Sequence, residues 1–525
     1  MHPNDKNNTT SYSTNNPGMS QSEGILEWLD ETCEIFKEKT AIEHNGKQIS
    51  YSDLNDITNR LANSLIANQL TKGSKVALLL DDRIEMIISI IGTLKAGCIF
   101  VPLDPEFPEG RLRRIIADVS PNCLITHPKF CHLAYEILSN SCKVNIVIHF
   151  GDKIDSNKFN SNISSLSQSF LDYSPERKHV PIIPDDACYI YYTSGSTGMP
   201  KGIVGQVKGI SHFIKWEIET FHIQPGTRFS QFTIPTFDAF LRDVFVPLCV
   251  GGTICVPPDR TTVVNTETLV DWIEGNKINF IHCVPSLFEV LASGNLNSHK
   301  LEALKYILIS GESLAISVVK KWINVCGTRI KLINLYGASE TTMVKFYYEV
   351  QESDINRGFI PIGKPIKGSV ALVLDDSGNI CPRGIFGELY IISPYLTLGY
   401  YNQPELTKKV FPKNIFGENR NNVMYKTGDL ARVLNDENYQ FGGRKDNQVK
   451  IRGIRVELGE IENQLRNHSL IESAVVLFRE DKPNIKQLVA YVVFTHQTSV
   501  TIADLRHFLQ DQLPEYMVPA VFVVL

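Results

Sequence analysis

The chain has 525 residues, of which 43% are hydrophobic and 21% charged, enough for about three domains or for one large domain and a small one. It carries 52 lysine and arginine residues against 57 aspartate and glutamate residues, a formal net charge of −5. This balance argues against nucleic acid as a partner, because proteins that bind polyanions usually carry a basic excess.

The eleven cysteines are scattered and include no C-x-x-C pair, which indicates neither a disulfide framework nor a zinc site and fits a reducing cytosol. The N-terminal segment has no signal-peptide apolar region, and no apolar run reaches the ~20 residues that span a bilayer. We therefore expect a cytoplasmic protein with no membrane partner. Residues 1–22 are rich in Asn, Ser and Thr, a composition that predicts a disordered leader.

From residue 25 onward, strand and helix patterns alternate. Residues 76–80 read as a buried strand, 84–94 as a helix and 98–101 as the next strand, which is the βαβ pattern of a parallel sheet. The alternation continues at residues 278–281, 306–309 and 330–335. The sequence therefore predicts an α/β fold with two βαβ-type subdomains.

Beyond residue 365 the pattern changes. Short apolar runs at 370–374 and 387–392 are separated by Gly, Pro and Asp, which predicts a β-rich, antiparallel subdomain. Two glycines and a charged run at 442–446 predict a hinge, and 458–465 read as an amphipathic helix. We expect a core at 23–445 and a small α+β domain at 446–525. Because the chain ends on an apolar run at 521–525, we expect this small domain to be incomplete.

A loop rich in glycine and hydroxyl groups follows an apolar strand at residues 192–202 (YTSGSTGMPKG). Backbone N–H groups and hydroxyls can surround phosphate oxygens, and Lys201 can neutralise their charge. The spacing is not that of a Walker A loop, and Ile203 and Val204 continue as a strand. The sequence thus predicts a strand–loop–strand phosphate cradle; the alternative is a solvated surface turn.

Six further segments carry a family resemblance together with this loop. In chain order they are residues 49–54 (ISYSDL), 94–104 (LKAGCIFVPLD), 334–342 (NLYGASETT), 387–389 (GEL), 425–429 (YKTGD) and 443–453 (GRKDNQVKIRG). They resemble the motifs of the ANL superfamily of adenylate-forming enzymes, and within it the amino-acid adenylation domains of nonribosomal peptide synthetases. The resemblance covers roughly residues 25–525; Ala338 replaces the usual proline of the third segment.

This resemblance implies that ATP and Mg²⁺ activate a carboxylate as an acyl-adenylate, which then passes to the phosphopantetheine thiol of a partner carrier domain. Lys201 and Glu340 are the implied catalytic residues, with Glu340 also the Mg²⁺ ligand; a plain helix-terminal role is the alternative for Glu340. Asp446 is the implied hinge about which the small domain rotates. The implied nucleotide-binding residues are Thr193, Ser194, Gly195, Ser196, Thr197, Gly198, Asn334, Tyr336, Gly337, Ser339, Asp429, Phe441 and Arg444.

Individual roles follow from the same resemblance. Tyr336 is expected to stack on adenine with Phe441 as the opposite wall, and Asn334 to contact the base edge. Asp429 is expected to accept both ribose hydroxyls, and Arg444 to contact ribose or phosphate. A core aromatic and a simple turn residue are the alternatives for Tyr336 and Asp429.

The substrate pocket is expected near residues 237–248, whose apolar residues recur at helical spacing. By resemblance Asp238 pairs with the α-ammonium of an amino acid. Arg242 needs a partner if it is buried, and a substrate carboxylate assisted by His282 and Ser310 would supply it; pairing with Asp238 one turn away is the alternative. We therefore expect glutamate, 2-aminoadipate or aspartate as substrate. The implied pocket residues are Asp238, Ala239, Arg242, His282, Leu308, Ser310, Gly311, Leu335, Met343 and Val344.

Two departures and two competing functions accompany this interpretation. The family's second lysine, in a C-terminal N-G-K segment, is not in the sequence, so we expect this chain to adenylate slowly, and no carrier domain is encoded. The family also includes members that use an MbtH-like helper protein. Another ANL ligase, such as an acyl-CoA synthetase, and a non-catalytic nucleotide-binding protein are the alternatives; Asp238 argues against the first and the full motif set against the second.

Overall fold

The structure is a computed structural model that describes residues 24–139, 144–151, 164–167, 169–195, 199–294, 296–297, 299–416, 422–482, 485–495 and 501–525. The predicted leader and the loop residues Ser196, Thr197 and Gly198 lie outside the described residues. Within these ranges, no helix is long and apolar enough to cross a membrane.

The first large sheet has seven strands in the order β7-β6-β5-β3-β4-β8-β9, parallel except for the antiparallel pair β8 and β9. Its helices follow strands in the βαβ manner that the sequence predicts. The elements up to β9 are α1 (Ile25–Ile35), β1 (Thr40–His44), β2 (Lys47–Ser50), α2 (Tyr51–Ala67), β3 (Lys75–Leu79), α3 (Arg83–Lys95), β4 (Ile99–Leu103), α4 (Glu109–Val119), β5 (Cys123–Thr126), α5 (Cys131–Leu138), β6 (Ile146–His149), β7 (Ser164–Ser167), β8 (Ala187–Thr193) and β9 (Lys201–Gln206).

The second large sheet has nine strands in the order β16-β15-β14-β13-β12-β10-β11-β1-β2. Its centre is parallel, and the strands at both edges are antiparallel. Its further elements are α6 (Val207–Thr220), β10 (Arg228–Ser230), α7 (Phe240–Leu248), β11 (Thr253–Val256), α8 (Arg260–Val264), α9 (Thr266–Gly275), β12 (Phe280–Cys283), α10 (Pro285–Ala292), β13 (Tyr306–Ser310), α11 (Ile316–Cys326), β14 (Lys331–Gly337), β15 (Val344–Glu349) and β16 (Lys364–Pro365).

The last third of the chain forms two smaller units. A four-stranded antiparallel meander contains β17 (Val370–Leu374), β18 (Gly387–Ser393), α12 (Pro404–Val410), β19 (Val423–Val433) and β20 (Tyr439–Arg444). The C-terminal domain contains β21 (Gln448–Ile451), β22 (Ile454–Glu457), α13 (Leu458–Arg466), β23 (Ile471–Lys482), β24 (Ile485–Phe494), α14 (Ile502–Gln510) and β25 (Val521–Val524). The predicted boundary at residue 446 falls between β20 and β21.

Apolar packing divides the molecule in the same way. The largest core contains side chains of both large sheets and of helices α1, α2, α3, α6 and α7, so the two sheets are joined through shared buried surface. The C-terminal domain has a separate core around Val456, Ile461 and Leu465. It therefore has its own source of stability, and it contacts the rest of the chain through Phe237 and through polar side chains that are described below.

One predicted helix begins later than expected. Apolar spacing predicted a helix from Phe237, but α7 begins at Phe240 and is preceded by a turn. Phe237 packs against the C-terminal core instead of the helix face. Asp238 and Arg242 therefore do not lie one turn apart on one helix, and the premise for pairing them is wrong.

Candidate functional site

A cavity of about 240 Å³ lies where β12, β13 and β14 end, and the β21–β22 hairpin covers part of it. The carboxyl ends of parallel strands are the usual ligand site of α/β sheets. Most of the predicted pocket residues line this cavity, but the buried side chains of Leu308 and Leu335 do not. The predicted residues that line it are Thr193, Ser194, Asp238, Ala239, Arg242, His282, Ser310, Gly311, Gly337, Ser339, Met343, Val344, Asp429 and Arg444.

The glycine-rich loop joins β8 to β9, with Thr193 paired to Lys201 across the two strands. This is the predicted strand–loop–strand arrangement. Lys201 Nζ lies 3.2 Å from Glu457 Oε1 of the C-terminal domain. Ser194 Oγ donates to the Arg455 carbonyl oxygen at 2.8 Å and accepts from the Glu457 backbone N–H at 3.2 Å. The β22 strand is thus held directly against the loop.

A second carboxylate reaches the loop from helix α13. The Gly195 backbone N–H donates to Glu460 Oε2 at 3.0 Å, and Glu460 Oε1 lies 2.7 Å from Arg111 Nη1 on α4. Glu460 is fully buried and Arg111 is 2% exposed. The Glu460 carboxylate therefore accepts the loop N–H that an anion could otherwise bind. The buried Arg111 guanidinium balances its charge.

Glu340 follows β14 in a short 3₁₀ turn, Ser339–Thr341. Both of its carboxylate oxygens lie 2.7 Å from Arg455 Nη1, and Oε1 also accepts from the Tyr400 hydroxyl at 2.6 Å. Burial alone would raise the pKa of Glu340, but the Arg455 charge and the Tyr400 hydrogen bond hold it below its usual range. A buried, ionised carboxylate is thus matched by a cation from the C-terminal domain.

The predicted adenosine residues meet around Asp429. The Tyr336 hydroxyl donates to Asp429, and Arg444 pairs with both Asp429 and Asp446. Tyr336 and Phe441 have ring centroids 6.3 Å apart at an interplanar angle of 42°. A base stacked between two rings needs roughly 7 Å between parallel planes, so these two rings do not form an open slot in this structure.

Asn334 does not reach the cavity. It lies buried on β14, and its Nδ2 donates to the Pro361 carbonyl oxygen at 2.7 Å. The amide donor that was expected to contact a base edge therefore holds the segment before β16 instead.

Asp238 lies in the turn before α7, 7% exposed, on the cavity wall. Its Oδ1 accepts from the Ser339 hydroxyl at 3.1 Å, and its Oδ2 accepts from the Met343 backbone N–H at 3.0 Å. Burial raises the pKa of Asp238, and these two hydrogen bonds oppose the rise. The carboxylate is thus fixed in place but carries charge that a cationic ligand could match.

Arg242 belongs to a buried charge network that the sequence did not reveal. Its Nη1 donates to Ser310 Oγ at 3.1 Å, and its Nε lies 3.6 Å from Asp243 Oδ1. Asp243 Oδ1 also lies 3.0 Å from His282 Nδ1, and His282 Nε2 lies 2.7 Å from Glu217 Oε1. Arg242 therefore pairs with Asp243 and not with Asp238.

The histidine in this network lies between two carboxylates. Burial alone would lower the pKa of His282, but Glu217 and Asp243 outweigh it, so its pKa is raised. Two basic and two acidic side chains, all 0–2% exposed, therefore form one network at the cavity wall, where Arg242 and His282 line the cavity. His282 is a member of this network and also lines the cavity.

Comparison with known families agrees with the motifs. The family described as AMP-binding enzyme matches residues 29–401, and the family described as AMP-binding enzyme C-terminal domain matches residues 460–525. The chain belongs to the AMP-binding enzyme family. It is an adenylation domain of the nonribosomal peptide synthetase type, as the six segments and the loop predicted.

Relatives and solved structures give the extent of this likeness. The dimodular nonribosomal peptide synthase of Bacillus subtilis (strain 168) is 34% identical over 500 residues, which cover 95% of this chain and 20% of the relative. The chain thus spans about a fifth of that relative's length.

Two solved structures share the fold. The adenylation domain AlmE of Vibrio cholerae, in complex with glycyl-adenosine-5'-phosphate, has a TM-score of 0.83 at 21% identity and covers 97% of this chain and 95% of its own. NpsA-ThdA from Klebsiella oxytoca, an artificially fused adenylation–PCP di-domain, has a TM-score of 0.78 at 22% identity, with 96% and 94% covered. The predicted fold class, a large ANL-type domain followed by a smaller C-terminal domain, is confirmed.

Adenylation domains use ATP and Mg²⁺, and the donor set around Glu340 fits a cation. Its two oxygens already hold the Arg455 guanidinium, so this position selects positive charge. Among the described residues, no group of three His, Cys, Asp or Glu side chains could hold a metal.

Several residues of the site were not predicted. Glu217 and Asp243 could have been suspected because each is an acid among the apolar residues of a helix. Arg455, Glu457 and Glu460 directly follow the last recognised segment, but their partners are more than 100 residues away in the chain. Lys450 also lines the cavity, where burial lowers its pKa.

Proposed function

We propose that this adenylation domain activates an amino acid with ATP and Mg²⁺. The substrate carboxylate oxygen attacks the α-phosphorus of ATP, the bond from that phosphorus to the bridging oxygen breaks, and pyrophosphate leaves with the electron pair. The aminoacyl group is then attacked at its carbonyl carbon by the phosphopantetheine thiolate of a carrier domain, and AMP leaves. The observation that carries the proposal is Asp238, a fixed carboxylate on the wall of a cavity bounded by nucleotide motifs.

The nucleotide roles follow from what each group offers. Lys201 and the N–H and hydroxyl groups of the loop bind the phosphates, and Glu340 binds Mg²⁺. Asp429 accepts the ribose hydroxyls, and Tyr336 stacks on the base once Phe441 moves aside. Because Glu457, Glu460 and Arg455 now hold these groups, ATP has to displace the β22–α13 segment, and Asp446 is the proposed pivot.

The geometry further supports an acidic substrate. Arg242 lines the cavity, and its Nη1 donates a hydrogen bond to Ser310. Its contact with Asp243, at 3.6 Å, is longer than a hydrogen bond. A substrate carboxylate would give the guanidinium the close, charge-assisted partner that it lacks. Glutamate, 2-aminoadipate and aspartate are the proposed substrates.

The test is an ATP–pyrophosphate exchange panel with the three acidic amino acids, glutamine, leucine and phenylalanine. Exchange is expected to be fastest with one acidic amino acid, and R242M to abolish that preference. R260M, at a 72% exposed arginine, is the matched control and should keep it. If R242M does not fold, S310A tests the same subsite.

Preference for leucine, phenylalanine or glutamine over every acidic amino acid would disprove the substrate assignment while leaving amino-acid adenylation intact. Exchange only with carboxylic acids that lack an α-amino group, followed by transfer to free CoA, would instead identify an acyl-CoA ligase and overturn the proposed function.

A further inference from the structure

A buried lysine interacts with Asp238 and is not among the described residues that line the cavity. Lys345 is on β15, 0% exposed, and among the described residues its Nζ donates one hydrogen bond, to the Thr342 carbonyl oxygen at 3.2 Å. Burial lowers the pKa of Lys345 to about 7, and the charge that opposes this shift is that of Asp238. Burying an ammonium group that makes a single hydrogen bond costs free energy. We therefore looked for a role that this lysine performs.

The carbonyl that Lys345 holds belongs to a strained turn. Thr342 and Met343 have φ angles of 58° and 60°, two consecutive non-glycine residues in the left-handed region, a conformation that costs roughly 1–3 kcal/mol per residue. Such a conformation persists only where surrounding contacts enforce it. Helix α6 supplies one of them, since a Cβ added to Gly209 would lie 2.7 Å from Thr342 Oγ1.

This turn connects three groups of the site. Glu340 stands two residues before it, and the Thr341 hydroxyl lies 2.7 Å from the Ala338 carbonyl oxygen and 3.2 Å from that of Met343. The Met343 backbone N–H, at the end of the turn, donates to Asp238 Oδ2. The direction of that N–H is set by the left-handed geometry, so whatever holds the turn also holds the carboxylate.

The other polar groups around the turn do not take over this role. Among the described residues the Tyr191 hydroxyl is buried without a hydrogen-bond partner, and Thr342 Oγ1 lies beside the Tyr189 hydroxyl. His212 packs from α6, and burial together with the Lys345 charge lowers its pKa to about 4, so it is neutral. Of these groups, Lys345 is the one whose protonated form is favoured by the charge of Asp238.

We propose that Lys345 is a positioning residue that holds the Thr342–Met343 turn and thereby aims Asp238 at the α-ammonium group of the substrate. The inference rests on the proposed function, because it assigns to Asp238 the recognition of an amino acid. Without the lysine the Thr342 carbonyl loses its partner, the turn relaxes, and the Met343 N–H no longer fixes the carboxylate.

This role predicts an effect on stability that differs from the effect expected for a structural lysine. Removing a structural residue normally destabilises a protein, but Lys345 forms no salt bridge among the described residues and burial disfavours its charged form, so an apolar side chain of similar length removes the cost of burying an unpaired amine. K345M is therefore expected to unfold at the same temperature as the wild type or at a higher one, and still to lose substrate discrimination. A merely structural lysine would not produce this combination.

The experiment compares the full chain with K345M, K345Q and K345R by pyrophosphate exchange. It measures KM for the preferred amino acid, KM for ATP, and the ratio of kcat/KM between that amino acid and its α-hydroxy analogue. Loss of one hydrogen bond at a charged site predicts roughly a tenfold rise in amino-acid KM and a similar fall in the ratio for K345M. KM for ATP is expected to stay unchanged, and K345R to retain more of the ratio than K345Q.

Lys95 provides the matched control. It is also 0% exposed, but it bonds to Asn55, Asn59 and Asp30 far from the cavity. K95M is expected to lower the unfolding temperature and to leave the ratio of amino to hydroxy acid intact. An unchanged ratio in every folded Lys345 variant would overturn the proposal; if K345M does not fold, equal ratios in K345Q and K345R would do the same. A wild-type protein without preference for the amino acid would instead refute the proposed function.

Discussion

The two ends of the site use buried ion pairs in opposite ways. At the phosphate end, Arg111 with Glu460 and Glu340 with Arg455 join residues of the core to residues of the C-terminal domain. At the pocket end, Glu217, His282, Asp243 and Arg242 all come from the core and from elements that pack on one another.

The difference determines what happens when each set of pairs is broken. In the proposed function, movement of the C-terminal domain would separate the phosphate-end pairs together, and water, phosphates or Mg²⁺ would then replace the lost partners. The partners at the pocket end all belong to the core and do not separate when the C-terminal domain moves, so removing one of them by substitution leaves an uncompensated buried charge. The phosphate end is suited to exchange, whereas the pocket end is a permanent part of the fold.

The largest effect is expected from D243N. Asp243 is 0% exposed, contacts both cations of the network and accepts from the Thr233 backbone N–H at 3.1 Å. Its neutralisation leaves Arg242 and His282 without their shared anion, which predicts a loss of about 3–5 kcal/mol in the free energy of unfolding, measured in urea. D185N, at a 68% exposed carboxylate, should change it by less than about 0.5 kcal/mol. Equal stability of both variants would mean that the pocket network is as dispensable as a surface pair.

This network also marks the limit of what the sequence reveals. The βαβ alternation, the antiparallel subdomain and the strand–loop–strand around Lys201 were predicted because hydrophobic period and glycine placement are local signals. Asp238 was found through a motif, but the start of α7 was not, since the apolar spacing continues through a turn. Asp243, Glu217 and Arg455 acquire partners only when distant elements pack, which no local pattern encodes.

The next largest effect is expected at the phosphate end, where a substitution should strengthen ATP binding instead of lowering stability. E460Q removes the charge that holds Arg111 and weakens the acceptor on the Gly195 N–H. Because ATP has to displace this carboxylate, E460Q is expected to tighten ATP binding by roughly tenfold, or about 1.4 kcal/mol, measured by calorimetry. E462Q is the control, because Glu462 on the same helix accepts from Val476 N–H within its own domain. Unchanged or weaker ATP binding in E460Q would show that Glu460 does not compete with the nucleotide.

A smaller, pH-dependent effect is expected at His282. The pKa of this histidine is raised in the folded protein, so its stabilisation is complete below the unfolded value of about 6.5 and is lost as pH rises through the folded value, at up to about 1.4 kcal/mol per pH unit. The free energy of unfolding of the wild type should therefore fall above pH 6.5 more steeply than that of H282Q. H299Q, at an exposed histidine, should follow the wild type. Parallel curves for the wild type and H282Q would refute a charged histidine beneath the pocket.

The smallest effect is expected at the proposed pivot. Asp446 is 52% exposed and binds the Arg444 guanidinium through both oxygens, at 2.6 and 2.7 Å. Water reaches this pair in either domain orientation, so D446A should cost less than about 1 kcal/mol of unfolding free energy. D376A, which removes the exposed partner of the neighbouring Lys445, is the control and should behave alike. If D446A lowers the free energy of unfolding as much as D243N does, Asp446 belongs with the permanent pairs. A residue that must stay paired to keep the chain folded cannot serve as the point about which a domain turns.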